Sequence, residues 1–234
     1  MASECWDKIR RERDGYFLEL PEAEAASINA VDDSAAPAAG HADRAGLTAE
    51  LYGEINSAGI ATLFQHTALQ PTLERHDFVF VDLGSGTGKM TTQVAIDHTH
   101  CRRAVGVELS ETRHSAGVSA LAEGVDRGWI SADQRSRILL LNQNALEADM
   151  SEANVVYLAN YAFSDELSQR IADAVLSVEA APQLEVVFTL RDFQAPERVR
   201  LILVEKTTAE MSWARGQEVY VYARKRKSRE QSSC

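Results

Sequence analysis

Cysteine is scarce in this 234-residue chain, and the three present, Cys5, Cys101 and Cys234, are far apart, odd in number and in no CxxC pair. A disulfide-stapled scaffold is thereby excluded and a reducing compartment is expected. His98, His100 and Cys101 lie close together in sequence, but no second cluster of ligands accompanies them, so no metal is expected. Long apolar runs are lacking too. None approaches the roughly 18 residues needed to cross a bilayer, and Met1 to Trp6 contain no signal-peptide hydrophobic stretch, so an intracellular protein without a membrane partner is expected. Positive charge is the minority: 24 Lys and Arg against 35 Asp and Glu leave a formal net charge of −11. Such a chain is unsuited to coating nucleic acid over its whole surface, which needs clustered cations. A basic substrate, by contrast, is drawn to it. No internal repeat is visible.

What is present reads as an ordinary globular composition: 45% hydrophobic and 25% charged residues, in a length that holds one domain plus extensions. Residues 5–20 have the pattern of a short amphipathic helix, and 25–46, rich in Ala, Asp, Ser and Gly around Pro37, that of a linker. The chain therefore divides into an N-terminal extension (1–46), a domain (47–223) and a basic tail (224–234). From Leu47 an interrupted helical stripe runs through Leu51, Ile55, Ile60, Leu63 and Phe64. Strands and helices then alternate: strand 78–83, helix 90–98, strand 103–109, helix 112–123 with Ala116, Ala120 and Leu121 inward, and strands 138–141 and 155–158. Helix 165–178 follows, with Leu167, Ile171, Ala174, Val175 and Val178 on its apolar side. Strands 184–189, 199–206 and 218–223 close the domain without long helices between them. This order predicts an α/β fold of the doubly wound, class I methyltransferase type, with a mostly parallel seven-stranded sheet and an antiparallel edge.

The chemistry is concentrated after the first strand, at Asp82-Leu83-Gly84-Ser85-Gly86-Thr87-Gly88. Glycines there remove the Cβ atoms that would keep a ligand from the backbone and permit a tight turn. Dinucleotide binders space theirs as GxGxxG and open onto a helix that receives a pyrophosphate. The even spacing of Gly84, Gly86 and Gly88 behind Asp82 suits instead a ligand with a cationic amino-acid end and no phosphate. Glu108 ends the next strand, 26 residues after Asp82, where a carboxylate can accept both hydroxyls of a ribose. After the third strand, Asn144 and Ala145 are placed to meet an adenine. The implied cofactor is S-adenosylmethionine, with S-adenosylhomocysteine as product. The expected cofactor residues are Tyr52, Glu54, Asp82, Gly84, Ser85, Gly86, Gly88, Glu108, Asn144 and Ala145.

The clamp and three further segments, Tyr52-Gly53-Glu54, Val155 to Phe163, and Met211-Ser212-Trp213 with Tyr220 and Tyr222, spread over residues 48–224, together resemble the disruptor-of-telomeric-silencing family, the histone lysine methyltransferases without a SET domain. Tyr52-Gly53-Glu54 is similar to a segment by which that family covers its cofactor. The clamp itself matches. Val155 to Phe163, ending Ala159-Asn160-Tyr161-Ala162-Phe163, resembles a strand that ends in Asn-Asn-Phe-x-Phe, and Met211-Ser212-Trp213 with Tyr220 and Tyr222 resembles the family's closing segment. The first Asn of the family pair is Ala159 here, and the long basic segment of some members is reduced to Arg224–Arg229. The resemblance implies a nuclear enzyme that methylates a core-histone lysine in the nucleosome, with Asn160, Phe163, Trp213 and Tyr220 as its catalytic residues and a weak DNA contact through the basic tail.

The residues also speak without the family. Enzymes that methylate planar amines place a Pro-Pro-aromatic motif after the fourth strand, and Asn160 to Phe163 has no proline. The aromatic set Tyr161, Phe163, Trp213, Tyr220 and Tyr222 suits an alkylammonium, at about 0.5 to 2 kcal/mol per ring contact. Two other readings stand beside this one: an enzyme of the same fold acting on a non-histone lysine or a small amine, with the cytoplasm as the alternative location, and a cofactor-binding module without catalysis. The target lysine, the number of methyl groups added and the oligomeric state are not written in these residues.

Overall fold

The computed structural model describes residues 54–75, 77–193, 201–212 and 214–224. Tyr52, Trp213, the helix expected at 5–20, the linker at 25–46 and the tail beyond Arg224 lie outside the described residues. The elements are α1 (Ser57–Phe64), α2 (Gln70–Leu73), β1 (Phe78–Leu83), α3 (Lys89–Asp97), β2 (Cys101–Glu108), α4 (Glu111–Asp126), α5 (Ala132–Ser136) and β3 (Ile138–Asn142). They are followed by β4 (Val155–Leu158), α6 (Asp165–Val175), β5 (Val186–Thr189), β6 (Leu201–Ala209) and β7 (Gln217–Arg224).

Among the described residues the strands form a seven-stranded sheet in the order β3-β2-β1-β4-β5-β7-β6. β1, β2, β3, β4 and β5 pair in parallel, while β7 is antiparallel to both β5 and β6. The expected class I methyltransferase architecture is therefore present. All six residues of β1, Phe-Val-Phe-Val-Asp-Leu, are buried, as a central parallel strand covered on both faces requires. One face packs Phe78, Phe80, Tyr157 and Phe188 under α1, α3 and α4 through Leu63, Phe64, Val94 and Leu121. The other packs Val79, Val81, Leu83, Val156 and Leu158 under α6 through Ile171, Val175 and Leu176. Each such side chain contributes about 1.5 to 3 kcal/mol by leaving water.

Caps set the helix starts. The Ser110 hydroxyl accepts from Arg113 N before α4, and the Ser164 hydroxyl from Leu167 N before α6, whose first turn carries Asp165 and Glu166. Several boundaries differ from expectation. β2 begins at Cys101, because Cys101 and Ala104 are buried in the sheet while Arg102 and Arg103 between them face solvent, where Arg102 meets Asp77 and Glu152. α6 ends at Val175, and its buried side is Ser168, Ile171, Ala172 and Val175, so Ala174 faces outward and Val178 lies past the helix. Ile55 is in no helix: it forms an isolated antiparallel bridge with Met211. No helix of the described residues is long and apolar enough to cross a membrane.

Strand order reverses between β1 and β4, which lie side by side although β2 and β3 separate them in sequence. Open α/β sheets bind their ligands at the carboxyl ends of the strands at such a point. Both the glycine loop after β1 and the Asn160 loop after β4 open there.

Candidate active site

The loop from Gly84 to Gly88 leaves β1 and turns into α3 with φ of 80° at Gly84, 56° at Gly86 and 74° at Gly88. Side chains resist that region, so glycine is required three times in five residues. Gly84 N and Ser85 N both donate to Val107 O, at 2.9 and 3.0 Å, fastening the turn to β2. Space for this comes from a glycine the sequence reading did not single out: a Cβ on Gly106 would stand 2.8 Å from both Ser85 Oγ and Thr91 Oγ1.

Glu108 closes the loop. Its Oε2 accepts from Gly86 N at 2.8 Å and its Oε1 from Ser110 N at 2.9 Å, with the side chain almost wholly buried. Each carboxylate oxygen keeps a second acceptor site, so two hydroxyls can still be received. Asp82 is buried at the end of β1, where Thr91 Oγ1 donates to it at 3.1 Å. Burial pushes its carboxyl up to about 7, and the neighbouring carboxylates of Glu108 and Glu54 add to the rise.

Glu54 reaches the loop from the other side, its Oε1 accepting from Thr87 Oγ1 at 2.6 Å. The same residue is stitched to the far end of the chain. Glu54 N donates to Ser212 Oγ at 3.1 Å, Ser212 N donates to Glu54 O at 2.8 Å, and Asn56 N donates to Glu210 O at 3.1 Å. Residues 158 apart in sequence thus run side by side, and Glu54 of this pair reaches the glycine loop. Thr87, Thr91, Ser110 and Ser212 were not expected to have such roles. Thr87 and Ser212 sit inside motifs that sequence already marks, whereas nothing local marks Thr91 or Ser110 as partners of the two acids.

At the third strand, Asn144 caps a short 3-10 turn (Ala145–Glu147), its Oδ1 accepting from Leu146 N at 3.0 Å. That bond leaves its amide NH2 directed elsewhere. Asn160 after β4 is fully buried, and its Oδ1 accepts from Thr189 Oγ1 at 2.8 Å and from Leu190 N and Arg191 N at 3.0 Å each. Its Nδ2 donates to Ser168 Oγ at 3.2 Å. The side chain therefore ties the β4 loop to the β5 loop and orients backbone. Phe163 is half-buried beside the glycine loop: a Cβ on Gly84 would lie 3.5 Å from Phe163 Cζ and 3.6 Å from Ala159 Cβ. Arg191 holds the Phe163 carbonyl and Asp165, fixing this turn.

The expected aromatic set divides. Tyr161 is exposed and Tyr220 half-buried, but Tyr222 is buried in the core, stacked on Phe193 at 4.4 Å and hydrogen-bonded to Asp192 and to Phe193 O. Tyr222 is thus a core residue: it shares a face of β7 with Tyr220, but Phe193 and Leu201 cover it. His98 stacks on Phe64 at 4.5 Å, and Cys101 Sγ faces Arg103 O at 3.3 Å, its thiol pushed up to about 12 by burial. Among the described residues no group of three His, Cys, Asp or Glu side chains is arranged to hold a metal ion.

The family model for the histone methylation protein DOT1 matches residues 41–209, a span that contains the clamp, Glu54 and the Asn160 loop. The chain belongs to the DOT1 family. A relative in Yarrowia lipolytica, an H3 lysine-79 specific histone-lysine N-methyltransferase, is 30% identical over 142 residues, covering 55% of this chain and 26% of the relative. Enzymes of the same description in Caenorhabditis elegans (28%, covering 55% of this chain and 14% of the relative) and Chaetomium globosum (26%, covering 74% and 33%) are also similar. The chain spans about a quarter of the Yarrowia relative's length. The solved methyltransferase domain of a bacterial CtHen1 superposes with a TM-score of 0.52 at 12% identity, covering 70% of this chain and 96% of that one. At that identity the likeness concerns the fold.

The residues of the DOT1 clamp fit S-adenosylmethionine. Three acids, Glu54, Asp82 and Glu108, converge on a backbone stripped of Cβ atoms, and a cationic ligand with two vicinal hydroxyls is what such an acceptor-rich cradle receives.

Proposed function

We propose that this chain is an S-adenosylmethionine-dependent protein lysine N-methyltransferase acting in the nucleus on a core-histone lysine in the nucleosome. The observation that carries the reading is the convergence of Glu54, Asp82 and Glu108 on the Gly84–Gly88 loop, with the 210–212 segment stitched to Glu54. Membership of the DOT1 family, and the activity named for its curated relatives, support lysine as the acceptor.

When bound, S-adenosylmethionine supplies a methyl group on a cationic sulfur, positioned for displacement by an amine. The chain's residues do the rest. Glu108 receives the ribose hydroxyls, Asp82 and Glu54 face the amino-acid end, and Asn144 and Ala145 border the adenine, with Tyr52, Gly84, Ser85, Gly86 and Gly88 completing the cradle. Asn160 positions the β4 and β5 loops, and Phe163, Tyr220 and Trp213 wall the lysine channel. A free lysine has a pKa of about 10.4, so presenting a neutral amine at pH 7 costs about 4 to 5 kcal/mol. Apolar walls disfavour the charged form and reduce that cost without a dedicated base. Residues 47–223 form the catalytic domain in this reading, and Arg224 to Arg229 add a weak contact to nucleosomal DNA. Arg224 itself ends β7, its guanidinium donating to Pro182 O at 3.2 Å.

A non-histone lysine or a small amine is the second reading, favoured by Ala159 in place of the family's Asn. Incubation with labelled cofactor and nucleosomes, free histones or a cell lysate, read by mass spectrometry, separates the two. Transfer confined to lysate proteins would reject the histone assignment, and transfer to none would reject catalysis.

A further inference from the structure

Lys206 on β6 stands opposite Tyr220 on β7 in the antiparallel register. Its ammonium lies 4.4 Å from the centre of the Tyr220 ring and donates to the Tyr220 hydroxyl at 3.3 Å and to Glu218 Oε1 at 3.3 Å. Lys206 thus bridges the phenol and the Glu218 carboxylate, and the proximity of that carboxylate raises the phenol's pKa. Tyr220 pairs on its other side with Thr189, the residue whose hydroxyl holds Asn160. The grouping therefore sits at the same sheet end as the β4 loop. A ring face with a carboxylate beside it attracts an alkylammonium through the ring quadrupole and a charge-assisted hydrogen bond. The chain's own lysine, with the same terminal group as a substrate lysine, is already seated there.

We propose that Tyr220 and Glu218 form an alkylammonium subsite at the mouth of the substrate channel, occupied in the resting chain by Lys206 and taken over by the incoming substrate lysine. The proposal rests on the lysine methyltransferase reading above. Lys206 and Glu218 side chains are both about half exposed, at 47% and 49%, so the resident can leave without disturbing the core. Exposed pairs of this kind are weak, which is what an exchangeable occupant needs. The consequence is competition: the subsite already holds a cation when substrate arrives.

Lys206→Met keeps the aliphatic stem and removes the ammonium. Its KM for nucleosomes or free histones should fall about three- to fivefold, the worth of one exposed cation–ring contact, with the effect on KM rather than kcat. Lys206→Arg restores a cation over the ring and should return KM toward wild type. Glu218→Gln should raise KM both alone and combined with Lys206→Met, which a merely structural role for the pair does not produce. Thermal unfolding verifies that each variant is folded. An unchanged KM in Lys206→Met, with methyl transfer to lysine intact in wild type, overturns the subsite and leaves the methyltransferase reading standing. Absence of transfer to any lysine by the wild-type chain overturns both.

Discussion

Asp82 carries the clearest pH signature in the molecule. Its carboxyl is buried and pushed up to about 7 from an ordinary 3.8, first by burial and then by Glu108 and Glu54. A cationic amino-acid end prefers the ionised carboxylate, so cofactor affinity should follow the ionised fraction. With a pKa near 7 that fraction is about 3% at pH 5.5 and about one half at pH 7, which makes binding about 15-fold tighter across the interval. The window stops at 7 because the cofactor's own amino group titrates at about 7.7 to 8. Calorimetry of S-adenosylmethionine from pH 5.5 to 7 should show this rise, with release of about half a proton at pH 7 in buffers of different ionisation enthalpy. Asp82→Asn should flatten the profile. The same group has a stability consequence of known sign. A folded pKa raised above the unfolded one contributes stability that is present below about 4 and lost as pH rises through 7, and about three units correspond to an upper bound of about 4 kcal/mol. Asp82→Asn should therefore resist urea better than wild type at pH 8 and lose that advantage at pH 4. Affinity flat over pH 5.5 to 7, with no proton release, would refute the placement of Asp82 at the cationic end.

Glu108→Ala leaves Gly86 N and Ser110 N without their acceptor, so it should lower unfolding free energy by about 2 to 3 kcal/mol in urea titration and abolish cofactor binding by calorimetry. Near-normal affinity would remove Glu108 from the clamp. Asn160→Ala orphans the buried N–H groups of Leu190 and Arg191 and should cost about 3 kcal/mol. An Asn160→Ala loss below about 1 kcal/mol in urea titration would contradict the bonding described. Trp213→Ala should reduce turnover while leaving cofactor affinity nearly intact, and an unchanged rate would take it out of the channel.

The order of strands and helices was legible because β1, β4 and β5 are buried on both faces and write themselves as unbroken apolar runs, while α6 announces itself with Ser164 and two acids. Boundaries were less legible where charged residues belong to a strand, as Arg102 and Arg103 do in β2. The short α2 and α5 were missed because four or five residues, Gln70–Leu73 and Ala132–Ser136, carry too little periodicity. For the site, Asp82, the glycines and Glu108 could be read from spacing alone, since the turn demands them. The partners that hold them could not. Thr91 meets Asp82 only because α3 folds back over β1, Ser212 meets Glu54 across 158 residues, and the inward turn of Asn160 depends on a β5 loop that lies 29 residues further on. Tyr222 misled for a related reason: alternation puts it beside Tyr220 in sequence pattern, yet Phe193 covers it and removes it from any channel.

The most direct test of the whole account is mass spectrometry of reconstituted nucleosomes after incubation with the protein and isotopically labelled S-adenosylmethionine, with Glu108→Ala alongside. The account predicts labelled methyl on a core-histone lysine with the wild-type chain and none with the variant. A wild-type protein that binds the cofactor yet leaves every histone lysine unlabelled would contradict it.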